Sequence, residues 1–197
     1  MRTQLTALAA TAALATTLAA CSPQHAATNV TITPTTIHIP AATNVSGTLT
    51  NIGPAMYVLP EGATHQELPS GSPNTHNHRV ELADGTTAVI LARTEITNAS
   101  TAQESVEDFI DNVNDANSSN NLQLADSVTW APFPVAAATT GRVSPNADGT
   151  EAAQVLAAAG YDSDGETLVV VAIQAPEGGL ASSPALLIPQ TLKISLN

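Results

Sequence analysis

Arg79-Val80-Glu81-Leu82-Ala83-Asp84-Gly85-Thr86-Thr87-Ala88-Val89-Ile90-Leu91 sets two extended runs around Asp84-Gly85, the strongest short hairpin signal in the 197-residue chain. An antiparallel pair is expected here. Ten residues downstream, Thr101-x-x-Glu104 has the capping-box pattern and opens the clearest helix, Thr101 to Asn117. Ala102, Val106, Phe109, Ile110 and Val113 share one helical face, while Glu104, Glu107, Asp108, Asp111 and Asp115 fall largely on the other. A solvated acidic face is a simpler account of that stripe than a site for a basic partner. The run Asn117 to Asn121 ends the helix.

Further on, Val128 to Phe133 and Val135 to Val143 read as extended, interrupted by Pro132 and Pro134. Glu151 to Ala159 has good helix propensity, with Gly160 as a possible C-terminal cap. It is followed by Asp162-Ser163-Asp164-Gly165 and by Leu168 to Ile173, the most β-like run in the chain, so a hairpin is the preferred reading over a helix. Ser183-Pro184 starts a helix that Pro189 keeps short, and Leu192, Ile194 and Leu196 alternate as a final strand. The expected fold class is α+β: an antiparallel sheet packed by one main amphipathic helix and a short C-terminal helix.

Upstream of the hairpin, Met56-Tyr57-Val58-Leu59-Pro60 is a short strand-like run, closed by a turn at Glu61-Gly62. Ala63 to Asn77, rich in Pro, Gly, Ser and His, is expected to be a surface loop. Before it, Ser22 to Gly53 is rich in Thr, Ala and Pro and nearly uncharged. Val30-Thr31-Ile32 and Ile37-His38-Ile39 alternate as half-buried strands would, but Pro34 and Pro40 restrict them to sheet edges. The expected organisation is therefore a leader over 1–20, a lipidated N-terminus and tether over 21–53, and a single α+β domain over 54–197.

The leader has Arg2 as a minimal positive region and an apolar stretch from Leu5 to Ala20 with Leu8, Leu14 and Leu18. At 16 residues, this stretch falls short of the roughly 20 needed to cross a bilayer. Leu18-Ala19-Ala20-Cys21 matches a lipobox, and Cys21 is the chain's single cysteine, so it has no intramolecular disulfide partner. Ordinary cleavage with Cys21 incidental is the alternative. Acylation of Cys21 would supply more than the two anchoring signals that stable attachment needs.

The formal charge is −12, and losing residues 1–20 removes Arg2 and makes it −13. Arg79, Arg93, Arg142 and Lys193 are scattered, which excludes a nucleic-acid footprint and disfavours anionic headgroups. A monomer that stays soluble through its acidity is expected. Asn29, Asn44, Asn98 and Asn117 match glycosylation acceptors, which carry no weight in a bacterial lipoprotein. Few aromatic residues, Tyr57, Phe109, Trp130, Phe133 and Tyr161, leave the core mainly aliphatic.

Leu59-Pro60-Glu61-Gly62, the hairpin, the capped helix, Phe133-Pro134-Val135-Ala136 with Gly141, and the long hairpin through Ile173 together resemble the LpqN/LpqT-type lipoproteins of actinobacteria. The likeness spans roughly Ala55 to Leu196. It implies a PsbP-like fold and a noncatalytic envelope protein with binding or transport-associated roles, and it brings no catalytic motif with it.

Chemical motifs are few. His76-x-His78 on an extended chain would point two imidazoles to one side, with His65, Glu67 or Glu81 to complete a divalent metal site; solvated loop histidines are the simpler reading. Asp162-x-Asp164-Gly165-Glu166 begins like a calcium loop but lacks the later acidic ligand, and hairpin chemistry explains the same residues. Trp130 and Phe133, with Phe109, could line an apolar pocket between sheet and helix, or simply pack the core. No Gly-x-Ser-x-Gly, His-Glu-x-x-His or phosphate-cradling Gly-rich loop is present. The sequence thus points to a membrane-anchored, extracytoplasmic, noncatalytic module that docks envelope proteins and needs no cofactor beyond the lipid on Cys21. A carrier of an apolar envelope lipid is the alternative, with a metal-binding protein behind it.

Overall fold

The computed structural model describes residues 30–43, 45–94, 101–144, 151–162 and 166–195. The Asp84-Gly85 hairpin forms as its sequence dictates. β6 (Thr75–Glu81) and β7 (Thr87–Arg93) pair antiparallel, with Gly85 at φ 83°, Leu82 N–H donating to Thr86 O at 2.9 Å, and Asp84 Oδ1 accepting from Thr86 N–H at 2.8 Å. This hairpin lies in a six-stranded antiparallel sheet. From one edge to the other run β5 (Thr64–Leu68), β6, β7, β11 (Leu168–Pro176), β10 (Ala153–Tyr161) and β9 (Val135–Val143).

Of the ambiguous run Glu151 to Ala159, the part from Ala153 onward is strand, as the hairpin reading has it and not helix, because tertiary pairing on both sides overrides local helix propensity. The small side chains Ala157, Ala158 and Ala159 let both faces of this central strand pack closely, and all three are buried.

Period-two alternation divides the sheet into two faces. On one, Val155, Ala159, Tyr161 and Leu168 meet Ala102, Val106 and Ile110 of helix α1 (Thr101–Ala116). Phe109 and Val113 lie half-buried at the margin of that contact, and Glu104, Asp108, Asp111 and Asp115 are exposed, as the amphipathic pattern requires. Asn120 ties the helix end to the sheet: its amide donates to Val113 O at 2.8 Å, and its Oδ1 accepts from Ser144 N–H at 2.8 Å.

On the other face, Val80, Ala88, Ile90, Ala92, Leu156, Ala158, Val169, Val171 and Ile173 form the larger core. It is closed by two small sheets and the C-terminal segment. One small sheet has β1 (Thr31–Ile32), β2 (Thr36–Ile39) and β8 (Ser127–Trp130), with β2 and β8 parallel; the other has β3 (Thr48–Ile52), β4 (Ala55–Leu59) and β12 (Lys193–Ile194). Ser183 caps a 3-10 turn at Pro184–Leu186, which runs into the short helix α2 (Leu187–Thr191).

Two expectations are corrected. The tether expected through residue 53 contains β1, β2 and β3, and Ile37 and Ile39 are 0% exposed in the core. Pro34 and Pro40 flank β2 without interrupting it, so β2 takes a central place in its sheet. The loop expected over Ala63 to Asn77 holds β5 and the start of β6; β5 is an edge strand exposed along most of its length, so it shows no apolar alternation. The leader, Cys21, Asn29, Asn44, Asn98, Asp164, Gly165 and Leu196 lie outside the described residues. Among the described residues no helix is long and apolar enough to cross a membrane, which says nothing of strands.

Candidate functional site

The hairpin of β5 and β6 brings the singled-out histidines to one face. Register pairs His65 with Val80 and Glu67 with His78, so His65, Glu67, His76, His78 and the core residue Val80 all project to the same side. The His65 and His78 rings lie 5.4 Å apart, tilted by 38°. His76 is half-buried, with its ring against Gly53.

His78 is 6% exposed and its Nδ1 lies 3.1 Å from the hydroxyl of Tyr57 on β4. Burial is the main reason the His78 imidazole sits below its ordinary value, with His65 and His76 adding to the fall and Glu67 opposing it. Burial also pushes the Tyr57 hydroxyl up to about 12. The geometry offers nothing for the alternative of a divalent metal site at His65, His76 and His78: among the described residues, no group of three or more His, Cys, Asp or Glu is placed to hold an ion. His78 turns instead to Tyr57, a partner that short-range spacing could not announce.

The aromatic trio is divided by the sheet. Trp130 and Phe133 are 1% and 6% exposed in the larger core, with rings 4.6 Å apart in edge-on contact, and Trp130 Nε1 donates to Pro189 O at 2.7 Å. Phe109 packs on the opposite face with α1. The three residues therefore do not line a common pocket, and Trp130 and Phe133 act as core packing.

Sequence reading missed the surface beside them. α1 packs over β9, β10 and the near side of β11. Strands lie about 4.8 Å apart and a helix is about 10 Å wide, so six strands have room for two helices side by side. On the half beyond α1, the cross-strand rows Gln66-Arg79-Val89-Ala172 and Leu68-Asn77-Leu91 face outward, with Val170, next in the second row, packed at the margin of the α1 cluster. Val89 is 42% exposed; Leu68, Leu91 and Val170 are partly exposed. Arg79, whose Nε lies 2.9 Å from Glu81, and Arg93 flank this apolar strip. A shallow, open hollow beside it is lined by Thr64, His65, Gln66, Arg79 and Glu81. A second exposed apolar place, Leu49 at 61% and Val45, lies on and just before β3.

These features define an α+β protein with one large antiparallel sheet, filled on one face and half covered on the other. No family model matches the sequence, and no curated protein matches it. Solved structures similar to it include a Bacteroides thetaiotaomicron VPI-5482 protein, at 15% identity and TM-score 0.47 over 78% of this chain and 50% of that one. This chain therefore spans half the length of the Bacteroides protein. The Saccharomyces cerevisiae Ran-binding protein Mog1p is similar at 12% identity and TM-score 0.44, over 76% of this chain and 96% of its own. Cyanobacterial PsbP from Synechocystis sp. PCC 6803 is similar at 14% identity and TM-score 0.42, over 72% and 86%. A PsbP is thus among these neighbours, and nothing in them points to the LpqN/LpqT-type lipoproteins specifically. Neither activity nor partner transfers at such identities.

Proposed function

We propose that this chain is a lipoprotein of the bacterial cell envelope, anchored through acylated Cys21 at the extracytoplasmic face of the cell membrane, and that its domain docks another envelope protein without transforming it. The anchor rests on the lipobox Leu18-Ala19-Ala20-Cys21. Docking rests on one observation: the half of the main sheet beyond α1, where Val89, Leu91 and Leu68 lie between Arg79 and Arg93.

Charge sets the chemistry of the occupant. A chain with 17 acidic and 5 basic residues places Arg93 and Arg79 on this one face, Arg79 in an ion pair with Glu81 of the same face. It suits an apolar segment flanked by carboxylates, docking alongside α1. The module needs neither a catalytic residue nor a cofactor beyond its lipid. A lipid carrier finds no support in aromatic residues that the sheet holds apart.

The test is site-specific photocrosslinking of the full chain in the native type of bacterium, with a photoreactive residue at Val89 and, as control, at Leu49. A discrete adduct is expected at 89 only, and Arg93→Glu should abolish it. Equal labelling from both positions, or an adduct indifferent to Arg93→Glu, overturns the docking reading. Cys21→Ala should release the protein from the membrane fraction; retention with lipid still attached overturns the anchor.

A further inference from the structure

We infer that Tyr57, His78 and His65 form an acid-sensitive latch that fastens the β5–β6 edge of the main sheet to the small sheet containing β4. The geometry is asymmetric. β5 is held by strand pairing on one side only, to β6, and four of its five residues are exposed. Behind it, His78 reaches through the core face to the fully buried Tyr57, with rings 6.0 Å apart at 72° and the hydroxyl 3.1 Å from Nδ1. A neutral imidazole with its proton on Nε2 accepts from the Tyr57 hydroxyl through Nδ1.

Protonation puts a hydrogen on Nδ1, so the bond must reverse, Nδ1–H donating to the Tyr57 oxygen, and the Tyr57 hydrogen is left without its acceptor in a buried site. It also places a cation at a site 6% exposed. The groups facing that cation are Tyr57 from β4, His65 and Glu67 from β5 and His76 from β6, while Ile90 of β7 offers only an apolar side chain. Glu67, directly across from His78, is the one anion of the set, and it is exposed on the edge strand where water weakens its pull.

The closed latch therefore binds protons less readily than the open one. Below the ordinary histidine value near 6.5, proton uptake favours opening, and the equilibrium moves toward a loosened β5 as pH falls. Opening exposes the free edge of β6 and its histidines, a strand edge able to pair with another chain. The latch works whatever the open face of the sheet binds.

Histidine-detected NMR and hydrogen exchange on the full chain in detergent, from pH 7.5 to 4.5, test it. His78 should titrate below the ordinary value. Exchange of amides in 64–81, corrected for its intrinsic pH dependence, should rise at least about tenfold between pH 7.5 and 5, while β10 and β11 stay protected. His65→Gln, at an exposed position, should raise the His78 titration point and shrink the acid response. Tyr57→Phe should bring fast exchange of 64–81 already at pH 7.5. A corrected exchange rate independent of pH, or a His78 that titrates at or above its ordinary value, overturns the latch; the His65→Gln comparison stands even if Tyr57→Phe does not fold.

Discussion

Gly160 lies in the middle of β10 and is paired on both sides, to Val169 and Ala136. A methyl group there would lie 2.6 Å from Cγ, 2.8 Å from Cβ and 2.9 Å from Cδ2 of Phe133. Ordinary contact begins near 3.4 Å, so the ring must retreat by roughly half an ångström or more. It has little freedom to do so: it packs edge-on against Trp130, which is fixed in turn by its bond to Pro189 O. Overpacking of this kind costs about 1–3 kcal/mol. Replacing a mid-strand glycine by alanine returns about 0.5–1 kcal/mol of backbone entropy. Gly160→Ala should therefore destabilise by roughly 1.5 kcal/mol, lowering Tm by about 3–6 °C for a domain of this size. Urea and thermal unfolding followed through Trp130, the chain's single tryptophan, measures it at the site of the clash. In a Phe133→Leu background most of the cost should vanish, a coupling of about 1 kcal/mol. A Gly160→Ala protein as stable as the original, or one destabilised equally in both backgrounds, would refute the steric reasoning.

Three further outcomes are expected. Ile39→Ala should cost about 2–5 kcal/mol in urea unfolding, because the side chain is wholly buried; a negligible loss would return residues 31–52 to a tether. Trp130→Phe should cost about 1–3 kcal/mol by leaving Pro189 O without its donor, seen as a lower urea midpoint by circular dichroism, and an unchanged midpoint would discount that bond. Tyr57 is neutral in the fold up to about 12 but ionises near 10.0 when unfolded, so the folded state holds its proton longer and stability should fall by about 2 kcal/mol as pH rises from 10 to 12. Tyr57→Phe should flatten that decline, and an equally steep decline would assign it to other groups.

Local chemistry carried much of the architecture. Asp84-Gly85 needs no distant partner to turn the chain, and the period of Ala102, Val106 and Ile110 marks a buried helical face wherever that face packs. The strand at Val135–Val143 and the short segment from Ser183 were legible for the same reason: extended runs, prolines and caps act over a few residues. β5 was not legible, since Thr64-His65-Gln66-Glu67-Leu68 becomes a strand by pairing with β6, not by any pattern of its own. β2 was obscured by its flanking prolines, which are harmless at its ends.

Of the candidate site, the same-side geometry of His76 and His78 follows from a period of two once the chain is extended, but the preferred reading of solvated loop histidines missed the strand that extends it. Sequence alone determined the charge, the Leu18-Ala19-Ala20-Cys21 motif, the absence of familiar catalytic motifs and the α+β class. Tertiary structure decided that His78 meets Tyr57 and not a third metal ligand, that the sheet parts Phe109 from Trp130 and Phe133, and that Val89 faces solvent. The reason is physical: turns and amphipathic periods are fixed by neighbours in the chain, whereas burial and side-chain partnership depend on which distant surfaces compete to cover one another.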